Sequence, residues 1–285
     1  MGKGIPKIEA EGLMIEEHKK IKSNNGCVHY WIHRNNDQNA KCLVFTHGLT
    51  ANHSMFEKQV VYFKENYTVI TWDVPLHGLS RPYENFSYEQ TAKELRSILY
   101  REDIRKVILI GMSMGGYPSQ EFAYHYPEIV EGMVMLDTTP FGLKYYSKSD
   151  LWWLKQVATI GRCFTDNMLR TSMAKSVSKT DYSYNKMIEM LKPLSKAEII
   201  EQMDIAYGKF AKENKDVQFD FPVLLLLGDS DTTGKVKQYN KVWAKATGYP
   251  LHIIQHAAHF TNGDNPDQVN LEIEHFINQI STQYT

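Results

Sequence analysis

The stretch Val107-Ile108-Leu109-Ile110-Gly111-Met112-Ser113-Met114-Gly115-Gly116 decides how this chain is read. Four consecutive apolar residues, three of them β-branched, suit a strand covered on both faces. A serine framed by glycines follows, and then a segment that reads as helix. A serine hydroxyl is a weak nucleophile and must project to where a base can reach it. A sharp strand-to-helix turn achieves this, and the flanking glycines remove side chains that would clash there. The N-terminal N–H groups of the following helix favour developing negative charge. Ser113 is therefore the candidate nucleophile.

The same alternation extends outward in both directions. Cys42–Thr46 runs into His47-Gly48, Tyr67–Trp72 into Asp73, Val130–Leu136 into Asp137 and Val223–Leu227 into Gly228, while Leu251–Ile254 closes the series. Each is a short apolar run of the kind buried in parallel sheets. Helical segments separate them. Ser87-Tyr88-Glu89-Gln90 predicts a capping box opening a helix to about Tyr100, and a last helix is expected within Pro266–Ile280. Strand–helix alternation of this kind predicts an α/β fold with helices on both faces of the sheet. Upstream, Met14–Lys22 and Cys27–Ile32 flank Asn24-Asn25-Gly26. This predicts a β-hairpin whose Asn-Gly turn takes positive φ. From about Phe141 to Asp220 no strand is legible. The pieces there are helix-like and rich in Lys, Met and aromatic residues, which predicts a helical insertion between two sheet strands.

Composition narrows the field. The 285 residues suffice for one large α/β domain, 42% are hydrophobic, and the formal net charge is -1. No basic field exists to attract nucleic acid. Cys27, Cys42 and Cys163 fit neither a paired disulfide framework nor a metal spacing, so idle thiols are expected and no metal is. The segment Met1–Pro6 lacks the apolar stretch of a secretory signal, and no apolar run is long enough to span a bilayer. A cytoplasmic protein is the expectation.

Three further motifs complete a candidate site. His47-Gly48-Leu49-Thr50 ends an earlier strand. A tetrahedral oxyanion needs two N–H donors, expected from Met114, the residue after the nucleophile, and from Leu49 in this loop. His47 reads as a loop-ordering side chain rather than a base, and His47 and Gly48 are also candidates for contacting substrate. Gly228-Asp229-Ser230-Asp231 supplies the acid that orients the base. Asp231 is preferred on the chain order Ser, acid, His; Asp229 suits the turn itself. Asp137 also ends a strand and competes for the same role. Ala257-Ala258-His259-Phe260 supplies the base, with two small residues leaving room for the His259 ring.

In joint occurrence and order, His47-Gly48, the run Asp73 to Ser80, the Ser113 elbow, Gly228 to Asp231 and His259 resemble the α/β-hydrolase fold superfamily over essentially the whole chain. The resemblance is to serine esterase- and lipase-like members. It implies a mostly parallel eight-stranded sheet, with residues 1–140 and 219–285 as the core and 141–218 as a helical cap. It also implies two-step acyl transfer by Ser113, Asp231 and His259, with no cofactor. Serine at the elbow, rather than aspartate, argues against the haloalkane dehalogenase and epoxide hydrolase branches. Tyr145, Tyr146, Trp152, Trp153, Phe164 and Met168 in the cap suggest an apolar acyl or alcohol portion, with Trp152 and Trp153 as candidate substrate contacts. The expected activity is hydrolysis of small to medium apolar carboxylic esters. Carbon–carbon bond hydrolysis or a lyase reaction with the same triad is the alternative, and a ligand-binding receptor on the same fold is a further one.

Overall fold

The protein is described here by a computed structural model covering residues 16–282. The signal-peptide reading of Met1–Pro6 and the first two residues of the predicted hairpin, Met14 and Ile15, lie outside the described residues. In chain order the elements are β1 (Glu17–Ser23), β2 (Gly26–His33), β3 (Cys42–Thr46), α1 (Glu57–Phe63), β4 (Thr68–Trp72), α2 (Tyr88–Arg101), β5 (Val107–Met112), α3 (Gly116–His125) and β6 (Val130–Leu136). Then follow α4 (Lys148–Arg162), α5 (Asp166–Val177), α6 (Asp181–Leu191), α7 (Lys196–Glu213), β7 (Val223–Gly228), α8 (Val236–Thr247), β8 (Leu251–Ile254), α9 (Thr261–Asp264) and α10 (Pro266–Thr282).

One eight-stranded sheet runs in the order β1-β2-β4-β3-β5-β6-β7-β8. Strand β2 pairs antiparallel with β1 and with β4, and every other pairing is parallel. From β3 the chain steps to β4 on one side; from β5 it steps away on the other. The loops leaving β3 and β5 therefore diverge and open a crevice at their carboxyl ends, where open α/β sheets bind ligands. Leu49 follows β3 and Ser113 follows β5.

The apolar runs are strands because both faces are covered. Along β5, Val107 and Leu109 join the layer holding Tyr88, Leu95 and Phe122, while Ile108 and Ile110 join the layer holding Phe63, Ile273 and Ile277. Period-two alternation sends successive side chains to opposite layers. Each buried aliphatic side chain of this kind contributes about 1.5–3 kcal/mol.

Two local expectations are modified. The hairpin forms, but its two turn residues are Asn24 and Asn25, neither of which has positive φ; Gly26 already pairs with Ser23. Gly26 is instead required by close packing, since a Cβ there would lie 2.9 Å from the Pro82 carbonyl. Helix α2 opens on Ser87, whose Oγ accepts the Gln90 N–H at 2.9 Å. The Gln90 side chain does not reach back. It donates to Glu94 at 3.1 Å, and Glu213 accepts the Tyr88 N–H at 2.7 Å.

Between β6 and β7 the chain passes through α4 to α7 without a strand. Each helix starts on a hydroxyl residue, Ser147, Thr165, Thr180 or Ser195, whose oxygen accepts an N–H of the first turn. Such caps contribute about 1 kcal/mol each. Among the described residues no helix is long and apolar enough to cross a membrane.

Candidate active site

Ser113 has φ 52°, in the left-handed region that non-glycine residues seldom occupy. Such strain persists only where the surroundings over-determine it. They do so here through the glycines. A Cβ at Gly111 would lie 2.8 Å from the Gly115 carbonyl, one at Gly115 would overlap the Thr46 carbonyl, and one at Gly116 would overlap Thr138 Oγ1. The turn is thus wedged between the ends of β3 and β6, and the spacing of glycines around Ser113 follows from that contact.

The wedge aims Ser113 at His259, with Oγ 2.8 Å from His259 Nε2. His259 Nδ1 lies 3.0 Å from Asp231 Oδ2. An ionised carboxylate only accepts, so the ring proton belongs on Nδ1, leaving Nε2 to accept from the serine hydroxyl. Asp231 Oδ1 accepts the Thr233 N–H at 2.7 Å, which locks the carboxylate in place. Burial pushes Asp231 up, but its hydrogen bond and charge interaction with His259 outweigh that and hold it below its ordinary value. Burial pulls His259 down, and the same partner, with Asp137, lifts it above its ordinary value. An acid held ionised beside a base of raised basicity is what proton abstraction from a serine requires.

Asp137 is the second carboxyl of this cluster. It is fully buried, has φ 43°, and accepts the Gly228 N–H on Oδ1 at 2.8 Å. It makes no hydrogen bond to His259, and its Oδ2 has no partner among the described residues. Burial, with the like charge of Asp231, pushes its pKa well above its ordinary value, against the opposing pull of His259. Asp137, Asp231 and His259 are the one group among the described residues whose donor atoms converge closely enough to hold a metal ion. Both ring nitrogens of His259 are already engaged, by Asp231 and by Ser113. Asp229 shapes the turn as expected. It accepts the N–H groups of His256 and Ala257 at 3.0 and 3.1 Å and so ties the acid turn to the loop carrying His259.

The loop after β3 lies against the elbow: a Cβ at Gly48 would fall 3.3 Å from Ser113 Cβ. Leu49 and Met114 both line the cavity above Ser113. Met114 lies in the first turn after the strand, where N–H groups have no intrahelical acceptor. His47 lines no part of that cavity. Its Nδ1 bonds the Gly48 carbonyl at 2.7 Å and its Nε2 accepts the Val74 N–H at 3.0 Å. Burial holds its pKa down at about 4. It is a neutral strut between two loops and lines neither cavity at Ser113.

Two cavities open from Ser113. One, of 520 Å³, extends past Met114, Tyr117 and Tyr146 to Trp153 on α4 and Tyr239 on α8. The other, of 180 Å³, is bounded by Gly48 and by Met55, Met112, Met173, Met187 and Met203. Both share Leu49, Ser113, Tyr207, Thr233 and His259. Trp153 lines the wider of the two and is otherwise exposed. Trp152 does not line either space; it is exposed and stands edge-on to Trp153. Tyr207 and Thr233 escape the sequence reading. Tyr207 is one of 17 tyrosines with no local motif to mark it, whereas Thr233, two residues beyond Asp231, is a recognisable Asx-turn position. A larger cleft of 710 Å³ lies at the opposite, amino end of the parallel strands, lined by Arg34, Lys41, Glu102 and Glu131. Its charges pair with one another, Arg34 with Glu102 and Lys41 with Glu131.

Among known proteins, a putative esterase/lipase of Haemophilus influenzae is 23% identical over 247 residues, covering 85% of this chain and 84% of that protein. A 3-oxoadipate enol-lactonase of Acinetobacter baylyi is 32% identical over 97 residues, 34% of this chain and 36% of that protein. Among solved structures, a thermophilic esterase from Thermogutta terrifontis superposes with a TM-score of 0.74 at 19% identity, covering 93% of this chain and 99% of that one. The family model described as the alpha/beta hydrolase fold matches residues 41–266. The sheet order, the elbow and this match lead to one conclusion: the chain belongs to the α/β-hydrolase fold family.

Proposed function

We propose that the protein is a serine hydrolase that cleaves carboxylic esters of small to medium apolar substrates through an acyl-enzyme. The observation that carries this reading is the aligned relay from Ser113 Oγ to His259 Nε2 at 2.8 Å and from His259 Nδ1 to Asp231 at 3.0 Å. His259 takes the hydroxyl proton as Ser113 Oγ attacks the ester carbonyl. The backbone N–H groups of Leu49 and Met114 receive the oxyanion. His259 then gives the proton to the departing alkoxide, and the alcohol leaves an acyl-Ser113. Water, deprotonated by His259, attacks that acyl group; the acid departs and Ser113 recovers its proton. Asp231 holds the ring and stabilises the imidazolium in both halves.

In this reading residues 141–218 are a cap and residues 1–140 and 219–285 the catalytic core. Side chains from α4 to α7 reach both cavities at Ser113, which supports that division. Two of the relatives, named an esterase/lipase and an enol-lactonase, act by name on ester bonds, which supports the ester reading. The test pairs a fluorophosphonate probe with p-nitrophenyl ester turnover. Wild-type protein labels and turns over; Ser113→Ala does neither. Labelling without ester turnover above the Ser113→Ala background defeats the ester reading.

A further inference from the structure

The two spaces beside Ser113 differ in size and in chemistry. The narrow one, 180 Å³, has five methionines among its fifteen lining residues. Methionine is unbranched with three rotatable bonds, so such a wall moulds itself to a flexible alkyl chain. A dry apolar cavity of about 150 Å³ accepts benzene, which sets the capacity of this arm at about six carbons. The wide one, 520 Å³, falls in the range that accommodates whole ligand groups. Rings of Tyr117, Tyr146, Trp153 and Tyr239 wall it, and it ends at an ion pair between Lys235 and Asp150, 2.6 Å apart.

Tyr207 of α7 stands where the two arms meet, beside Ser113 and His259. The other phenols nearby are committed: Tyr117 and Tyr146 both bond Thr139, at 2.8 and 2.6 Å. The Tyr207 hydroxyl makes no hydrogen bond to any described residue. Tyr207 is half-buried and lines both spaces, so its unpartnered hydroxyl is available to donate to a ligand where they meet.

We propose that Tyr207 divides the ester between the two arms and donates its hydroxyl to a substrate oxygen at the junction. On this assignment an unbranched alkyl chain of about six carbons fills the methionine arm, and a larger ring-bearing or branched group fills the aromatic arm. The assignment rests on the ester reading above and narrows its substrate class.

Two mirrored substrate series test it: methyl esters of growing acyl chain, and acetates of growing alcohol chain. In one series kcat/KM climbs about fourfold per methylene, as burial of a CH₂ predicts, and stops climbing at about six carbons. The other series tolerates bulk, including a phenyl group. Met187→Trp fills the narrow arm and shortens the preferred chain, whereas Trp153→Ala leaves it in place. Met173→Phe, at a less buried position, serves if Met187→Trp fails to fold. Tyr207→Phe lowers kcat/KM about tenfold with the preferred length unchanged, the loss of one hydrogen bond. Tyr207→Ala merges the arms and removes the length limit. A common limit in both series, or a limit unmoved by Met187→Trp, Met173→Phe and Tyr207→Ala, overturns the proposal. Rates of Ser113 labelling by alkyl fluorophosphonates of graded length read the arms without ester turnover. A length limit in labelling with no turnover of either ester series sinks the ester reading alone; turnover with no limit in any series sinks the two-arm assignment alone.

Discussion

Asp137 and Asp231 follow neighbouring strands and bring their carboxyl groups within 4.8 Å of each other and of His259, yet only Asp231 bonds the base. Their surroundings set them apart: the hydrogen bond and charge of His259 hold Asp231 below its ordinary value, whereas burial and the like charge of Asp231 push Asp137 above it. One environment shifts two identical side chains in opposite directions.

Replacement of the ionised member removes the charge that stabilises the imidazolium. Asp231→Asn is expected to lower kcat by roughly 10⁴-fold, the size of the same change in another Ser-His-Asp site, with KM moved far less. Steady-state kinetics on a p-nitrophenyl ester measures this. A variant that kept near-wild-type kcat would transfer the acid's role to Asp137.

Replacement of Asp137 is expected to be mild when shape is kept. Asn has the size of Asp, and in Asp137→Asn its carbonyl still accepts the Gly228 N–H. Its kcat/KM should stay within about threefold of wild type, because Asp137 makes no hydrogen bond to His259 and burial disfavours its charged form. Asp137→Ala strands that buried N–H and should cost about 1–3 kcal/mol of stability in urea denaturation. A collapse of activity in Asp137→Asn at unchanged stability would show that an ionised Asp137 is required.

The pH profile follows from the direction of the His259 shift. The base works only when neutral, so activity is lost as pH falls through its pKa. That pKa is raised above the ordinary histidine value. The acid limb of kcat/KM is therefore expected above about pH 6.5. In Asp231→Asn, burial is left to dominate and the limb should move to lower pH. A wild-type limb well below pH 6 would contradict the pairing.

Two glycines should behave in opposite ways. A methyl group at Gly115 would overlap the Thr46 carbonyl, and neither backbone segment can yield without moving Ser113. Gly115→Ala is expected to cost about 1–3 kcal/mol or more and to abolish fluorophosphonate labelling. Gly208 lies inside α7, and a methyl group there would meet nothing within 4 Å. Gly208→Ala should stabilise by about 0.5–1 kcal/mol. Thermal melts of both variants check the contrast.

What can be read from the chain is what is local. Strands β3 and β6 carry the predicted boundaries because apolar runs buried on both faces end where the polar loop begins, and the predicted bounds of β8 also match although it is a half-exposed edge strand. Ser113 is legible because glycines must surround a strained serine turn. Asp137 and Asp231 do not separate with the same clarity: each ends a strand, and only the positions of β6 and β7 beside His259 show which carboxyl bonds the ring. Tyr207 and the methionine arm are invisible for a related reason. Their residues come from α5, α6, α7 and the loop after β3, and nothing in their spacing announces that they converge. The hairpin turn is misread in detail because Gly26 answers to Tyr83 and Pro82, far along the chain.

The helical stretch leaves the sheet after β6 and rejoins it at β7, and these two strands pair directly, Leu136 beside Leu226. Its entry and exit are thus fastened side by side, and the elbow is wedged against that same entry, Gly116 on Thr138, as well as against Thr46 of β3. A grafted insert of different length and lining would meet the same two attachment points, but it would have to begin beyond Thr138 to leave Ser113 in place, which sets the seam for recombination in this architecture.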